Sequence, residues 1–177
     1  MSIKTELLII IILLAVGCIS KEEDNMEKIS ISAEGIKEGE SIPDEYTCEG
    51  KDVSPSLSWK GIPAGTKSIA LIMDDPDCPG GTFVHWVLYN MPAETQRLPK
   101  AMPLNFTDGS MQGATDFGRP GYGGPCPPPG KPHRYYFKIY ALDTKLNLPP
   151  GASKNQVESA MKEHILAKGE LMGKYQR

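Results

Sequence analysis

Residues 82–89 read TFVHWVLY, apolar at both parities of a strand: Phe83, Val87 and Tyr89 alternate with Val84, Trp86 and Leu88. Successive strand side chains point to opposite faces, so a segment apolar at both parities must be covered on both, which puts it at the centre of a sheet. His85 shares the parity of Phe83, Val87 and Tyr89, so an ionisable ring enters the most buried strand of the chain. Four further apolar runs bounded by turn residues read as strands, at 29–32, 57–59, 68–73 and 133–142. In the last of these His133 falls with Tyr135, Phe137, Ile139 and Ala141, while Arg134 and Lys138 face the other way. Glycine (18) and proline (16) make up about a fifth of the 177 residues, against a usual share of roughly 12%, and this disfavours a helical bundle. The fold class is mainly β.

One helix is predicted near the C-terminus. Ser153 and Gln156 form a capping box, Val157, Ala160, Met161, His164 and Ile165 make an apolar stripe at helical spacing, and Gly169 supplies the stop. The segment 91–132 is rich in proline and glycine and has no strand run longer than a few residues; loops this long are commonly functional. It ends in GRPGYGGPCPPPGKP, a stiff rim leading straight into His133.

The chain is long enough for one domain, and a net charge of −3 leaves no basic excess for nucleic acid. Its N-terminus carries ten apolar residues, LLIIIILLAV, followed by Gly17 and Cys18. That run is too short to span a bilayer, which needs about 20 residues, and fits a signal segment. Ala15-Val16-Gly17-Cys18 resembles a lipobox, with Cys18 as the lipidated residue. Residues 1–18 are therefore read as a signal or lipoprotein-type segment, 19–28 as a polar tether and 29–177 as the folded domain, held outside the cytoplasm on the membrane. Disulfides are possible there, and Cys48, Cys78 and Cys126 allow three intrachain pairings with at least one cysteine left over.

The candidate chemistry centres on the turn DDPDCPGG, where Asp74, Asp75 and Asp77 are held close by a proline-braced backbone eight residues or so before His85. Pairing of the flanking strands brings Asp75 or Asp77 to the His85 imidazole, raising its pKa and keeping it protonated near neutral pH. His133 adds a second such group, and the N–H groups of Gly121, Gly123 and Gly124 can form an anion-binding nest. The combined preference is for a small anion such as a phosphate. The same residues also fit a hairpin cap with core histidines satisfied by carbonyls, or a two-histidine, one-carboxylate metal site, although the usual metal spacings and any CxxC are absent. Cys126 is a candidate thiol nucleophile or a disulfide partner at the rim.

At these residues the sequence resembles the phosphatidylethanolamine-binding protein family, in its prokaryotic Raf-kinase-inhibitor-like branch. The matching text is SPSLSWKGIPAGTKSIALIMDDPD, HWVLYNMP, GYGGPCPP, HRYYFKIYALD and HILAKGELMGKYQR, nearly everything after the tether. The resemblance implies a large antiparallel sheet packed on a smaller one with peripheral helices, and a pocket for a phosphate or similar anion. It puts Asp75, with Asp77 beside it, at the pocket's carboxylate position and His85 and His133 at its two histidines. Tyr135 becomes a hydroxyl donor, and Tyr122, Gly124, Pro125 and Cys126 form the rim. Cys126 stands where many eukaryotic relatives carry proline. The implied function is non-enzymatic binding of a phosphorylated or anionic ligand, such as a phospholipid headgroup, with no cofactor and no metal. The alternatives are an inhibitor of a protease or kinase, inserting the proline-rich rim into a protein partner, and a metal- or thiol-dependent hydrolase.

Overall fold

The computed structural model describes residues 27–177; the apolar run and Cys18 lie outside the described residues. Nine strands form two sheets: β1 (Glu27–Lys28), β2 (Ser30–Ala33), β3 (Leu57–Lys60), β4 (Ser68–Asp75), β5 (Phe83–Pro92), β6 (Arg97–Leu98), β7 (Met111–Gln112), β8 (His133–Leu142) and β9 (Ile165–Tyr175). The larger sheet runs β1-β9-β8-β4-β5-β7 and the smaller β2-β3-β6. All pairings are antiparallel except β1 with β9, where Glu27 and Lys28 of the expected tether align with Ala167 and Lys168. Strand pairing thus begins two residues before the expected start of the domain. The loop 91–132 holds two strand fragments, β6 and β7, and each extends a sheet edge by a single two-residue pairing.

The central strands are apolar on both faces because two cores flank the large sheet. Ile69, Leu71, Met73, Trp86, Leu88, Tyr135, Phe137 and Ile139 pack towards Leu57 and Trp59 of the small sheet and towards Ile29, which leads into it. Ala70, Ile72, Val84, Val87 and Tyr89 pack on the opposite side with Leu146, Val157 and Met161. Fully burying one such side chain is worth about 1.5–3 kcal/mol, more than any single turn or cap contributes. The buried Trp86 indole still needs a partner, and its Nε1–H donates to Gln112 Oε1 at 3.1 Å.

The strict alternation expected along β5 does not hold. Val84 belongs to one core with Val87 and Tyr89, and Trp86 to the other with Leu88, so the parity changes between Val84 and Trp86. The cause is a register shift in which Met73 pairs with Trp86 and Asp74 with Val84, leaving His85 as an extra residue opposite β4. A bulge of this kind re-aims a side chain locally. His85 consequently stays near Phe83 but parts from Val87 and Tyr89, and turns to the side of Tyr135.

The C-terminal helix is shorter than predicted. Helix α1 covers Lys154–Met161, with the Ser153 and Gln156 capping box in place and Val157 and Met161 buried. His164 and Ile165 are not part of it: Ile165 opens β9, which pairs along its whole length with β8. Ten cross-strand pairs at the heart of the fold outweigh the local helical pattern. His164 instead faces solvent, paired with Asp143 at 2.7 Å. Gly169 is no helix stop but a strand residue opposite Ile139, where the Ile29 backbone crosses so closely that a Cβ would overlap its carbonyl oxygen and lie 2.9 Å from its carbonyl carbon. Gly169→Ala is therefore expected to destabilise the domain by about 1–3 kcal/mol, read as a lower urea midpoint; an unchanged midpoint would mean that Ile29 does not cross there.

Candidate functional site

The three aspartates at the end of β4 lie within four residues, yet each turns to different partners. Asp74, on the face covered by α1, accepts from Lys138 Nζ at 2.8 Å and Lys154 Nζ at 2.7 Å, a buried carboxylate neutralised from a strand and from the helix start. Asp77 takes the Arg134 guanidinium and backbone N–H at 2.6–2.9 Å, which lowers its pKa to about 2. Asp75 faces the inter-sheet side. Its Oδ1 accepts the Asp77 N–H at 2.8 Å, closing the turn, and its Oδ2 accepts from His133 Nδ1 at 2.7 Å.

This geometry corrects the expected pairing. The carboxylate partner belongs to His133, one strand over on β8, whereas His85 Nδ1 meets the Gly123 carbonyl at 2.7 Å. Both acceptors can only accept, so each Nδ1 carries the hydrogen and each Nε2 is left for the space that both rings line. The His85 pKa also moves in the other direction from that expected. Its ring is enclosed by Phe83, Phe117 and Tyr135 at centroid distances of 5.1, 5.3 and 5.2 Å. Burial there pushes its pKa below 6.5, against the smaller opposing pulls of the Gly123 carbonyl and the Asp75 and Asp74 charges. His85 is a neutral ring at pH 7, with Nε2 an acceptor.

Those rings and Asp75 line a cavity of about 100 Å³ together with Cys78, Phe83, Phe117, Cys126, Pro127, Pro128 and Tyr135. Its volume suits a small oxyanion and excludes a whole lipid. A groove of about 590 Å³ lies elsewhere, along Leu104, Phe106 and Met111, but Arg119 is the sole ionisable residue lining it. Chemistry therefore selects the smaller hollow. Its most telling atom is the Tyr135 hydroxyl, on a side chain with no solvent exposure, which makes no hydrogen bond of normal geometry and has only a marginal contact with the Asp75 carboxylate. Burial and the nearby Asp75 charge hold this group firmly protonated, so it is a donor in waiting. An unsatisfied buried polar group costs about 1–3 kcal/mol, and such exceptions concentrate where a ligand completes the bonding.

Asp75, His85, Cys126, His133 and Tyr135 come together as expected; Asp77, Tyr122, Gly124 and Pro125 do not line the cavity. Tyr122 is a strut beneath the rim, donating its hydroxyl to the Tyr46 carbonyl at 2.7 Å and packing edge-on to Trp86. The Pro125 carbonyl accepts the Cys48 N–H at 3.1 Å. The glycine nest is not formed: Gly123 N–H donates to the His85 carbonyl at 3.0 Å and Gly124 N–H to Asp52 Oδ1 at 2.6 Å. Glycine is required here for close approach. A Cβ at Gly123 would overlap the Phe117 ring, and one at Gly124 would overlap the Tyr46 carbonyl oxygen. Cys126 is bonded to Cys48, which joins the rim to the segment after the 3-10 turn Asp44–Tyr46 and leaves Cys78 as a free thiol. Phe83, Cys78, Phe117, Pro127 and Pro128 were missed as lining residues. Cys78 lay in plain view inside DDPDCPGG, but nothing local marks Phe117.

With the fold and cavity in hand, comparison with known proteins is decisive. The sequence model of the phosphatidylethanolamine-binding protein family matches residues 32–176. The chain belongs to that family. Its relatives within the family include a UPF0098 protein of Aquifex aeolicus, 51% identical over 152 residues that cover 84% of this chain and 89% of the relative. A UPF0098 protein of Pyrococcus horikoshii is 45% identical over 172 residues, 94% of this chain and 85% of that protein. Among solved structures, the phosphatidylethanolamine-binding protein homologue CT736 of Chlamydia trachomatis superposes with a TM-score of 0.77 at 37% identity, covering 85% of this chain and 98% of its own. YbcL of E. coli, described as a member of the mammalian family, gives 0.79 at 37% identity over 85% and 99% of the two chains. The family's expected layout of a large sheet on a smaller one is the layout found here, with α1 the one α-helix among the described residues.

The buried hydroxyl gives this cavity a direct test. Tyr135→Phe removes a donor that has only a marginal contact with Asp75, so the ligand-free domain is expected to keep its stability or gain up to about 1–2 kcal/mol in urea unfolding. A loss of that size would mean that the hydroxyl has a partner inside the protein.

Proposed function

We propose that this protein is a non-enzymatic receptor for a small oxyanion, a phosphate or the phosphate head of an ester, held in the cavity of Asp75, His85, His133 and Tyr135. The observation that carries the reading is the unpartnered Tyr135 hydroxyl beside two imidazoles whose Nδ1 atoms are already engaged. Tyr135 donates to one anionic oxygen. His133, oriented by Asp75, presents Nε2 to another. Neutral His85 accepts from Nε2, and its natural complement is an acidic P–OH. The preferred ligand is thus a phosphate that keeps a P–OH group, which a monoester loses as pH rises past a second pKa of about 6. Asp75 acts as a positioning residue, since both its oxygens are spent on the turn and on His133.

The cavity admits a headgroup phosphate and leaves the rest of an ester outside. We place the protein at the outer face of a membrane, on the strength of the signal-like N-terminal run and the Cys48–Cys126 disulfide, which belongs to oxidising compartments. No helix among the described residues is long and apolar enough to cross a membrane.

Titration of the full chain with inorganic phosphate and with phosphoethanolamine, followed by imidazole NMR, tests the reading. The His85 and His133 signals are expected to move together while His164, on the surface with Asp143, stays still. Phosphoethanolamine affinity is expected to fall severalfold from about pH 6 to about pH 8, as its acidic P–OH proton is lost. Signals that stay fixed in both titrations would remove the assignment.

A further inference from the structure

The cavity carries chemistry that anion binding leaves unused. Two of its lining residues are cysteines in different oxidation states: the free thiol Cys78, half-buried at the end of the β4 turn, and Cys126, exposed and bonded to Cys48. Both line the same cavity of about 100 Å³. Cys78 also lies near enough to the Tyr135 hydroxyl to act on it electrostatically, so thiol and orphan donor share one chamber. On the outer side, Arg177 Nη1 lies 3.2 Å from Cys126 Sγ, a fixed positive charge at the disulfide, itself held by Glu49 at 3.0 Å. A thiolate, an exposed disulfide and a cation beside the sulfurs are the ingredients of thiol–disulfide exchange.

We infer that Cys78 is an exchange site for the Cys48–Cys126 disulfide. Cys78 loses its thiol proton to solvent, and its sulfur attacks Cys126 Sγ. The Cys78–Cys126 bond forms as the Cys126–Cys48 bond breaks, and Cys48 leaves as a thiolate that takes up a proton. One disulfide and one thiol are present before and after, so no oxidant or reductant is consumed. Arg177 stabilises the negative charge that passes along the three sulfurs. The product disulfide crosses the cavity in front of Tyr135 and shuts it, while Cys48 is freed on the exposed side of the rim. Exchange between the sulfurs stands apart from the proposed ligand; the accompanying loss of binding rests on the oxyanion reading.

The test is a disulfide map. The full chain is held at mildly alkaline pH, quenched in acid, alkylated and digested, with peptides bearing Cys18 resolved separately. A Cys78–Cys126 cross-linked peptide with alkylated Cys48 is expected to grow in with time. A map that returns only Cys48–Cys126 and fully alkylated Cys78 overturns the exchange. In Cys48→Ser, Cys78 and Cys126 are the two free thiols of the cavity, and oxidised glutathione is expected to close them and abolish the phosphate-induced shift of His133. Two thiols that never cross-link in this variant also overturn the exchange, and a cross-linked variant that still binds phosphate overturns the gating. Failure of the reduced variant and the wild-type protein alike to bind phosphate would instead count against the oxyanion reading, with the exchange judged by the map.

Discussion

The hydrogen bond from His133 Nδ1 to Asp75 Oδ2, 2.7 Å long, joins the ends of β4 and β8 and fixes the chemistry of the space between them. Neither partner stands alone. Asp75 is held from behind by the Asp77 N–H, Asp77 is held by Arg134, and Arg134 adjoins His133 on β8. The turn is thus locked to the neighbouring strand by one interaction inside the cavity and one outside it. Both cross-links come from a short acidic turn whose carboxylates are partitioned by strand geometry, with Asp74 sent to the opposite core and its lysines.

The second imbalance is the contrast between the two histidines. His133 is oriented by a carboxylate. His85 has a carbonyl and an aromatic enclosure that makes a charge expensive. A neutral ring whose Nε2 accepts, next to a hydroxyl free to donate, is matched to a ligand that both accepts and donates. Phosphate keeping one proton has that pattern, whereas a fully deprotonated oxyanion leaves His85 Nε2 unmet.

Much of this was readable in the sequence, and the failures have identifiable causes. Alternation along 133–142 gave the inward face of β8 correctly, since that strand pairs without interruption from His133 to Ala141. The same rule failed on β5 because a bulge is a property of two strands in register and cannot be seen in one. The helix stripe ended early because His164 and Ile165 satisfied a local period while β8 offered Ile165 a full strand partner. The partner of each histidine depended on which strand lies beside β4 at that level, and spacing along the chain favoured His85 wrongly. Gly123 and Gly124 invited a phosphate nest, yet they are small because Phe117 and the Tyr46 backbone press on them. The family resemblance supplied the fold and the gathering of Asp75, His85, His133 and Tyr135; the hydrogen-bond directions required coordinates.

The most direct measurement is a crystal structure of the protein grown with phosphate. The account predicts one phosphate in the cavity, with oxygens within hydrogen-bond distance of Tyr135 Oη, His133 Nε2 and His85 Nε2. A cavity left empty while phosphate sits instead on the outer groove of Lys131, Arg134 and Lys174, with the Tyr135 hydroxyl still unpartnered, would contradict it.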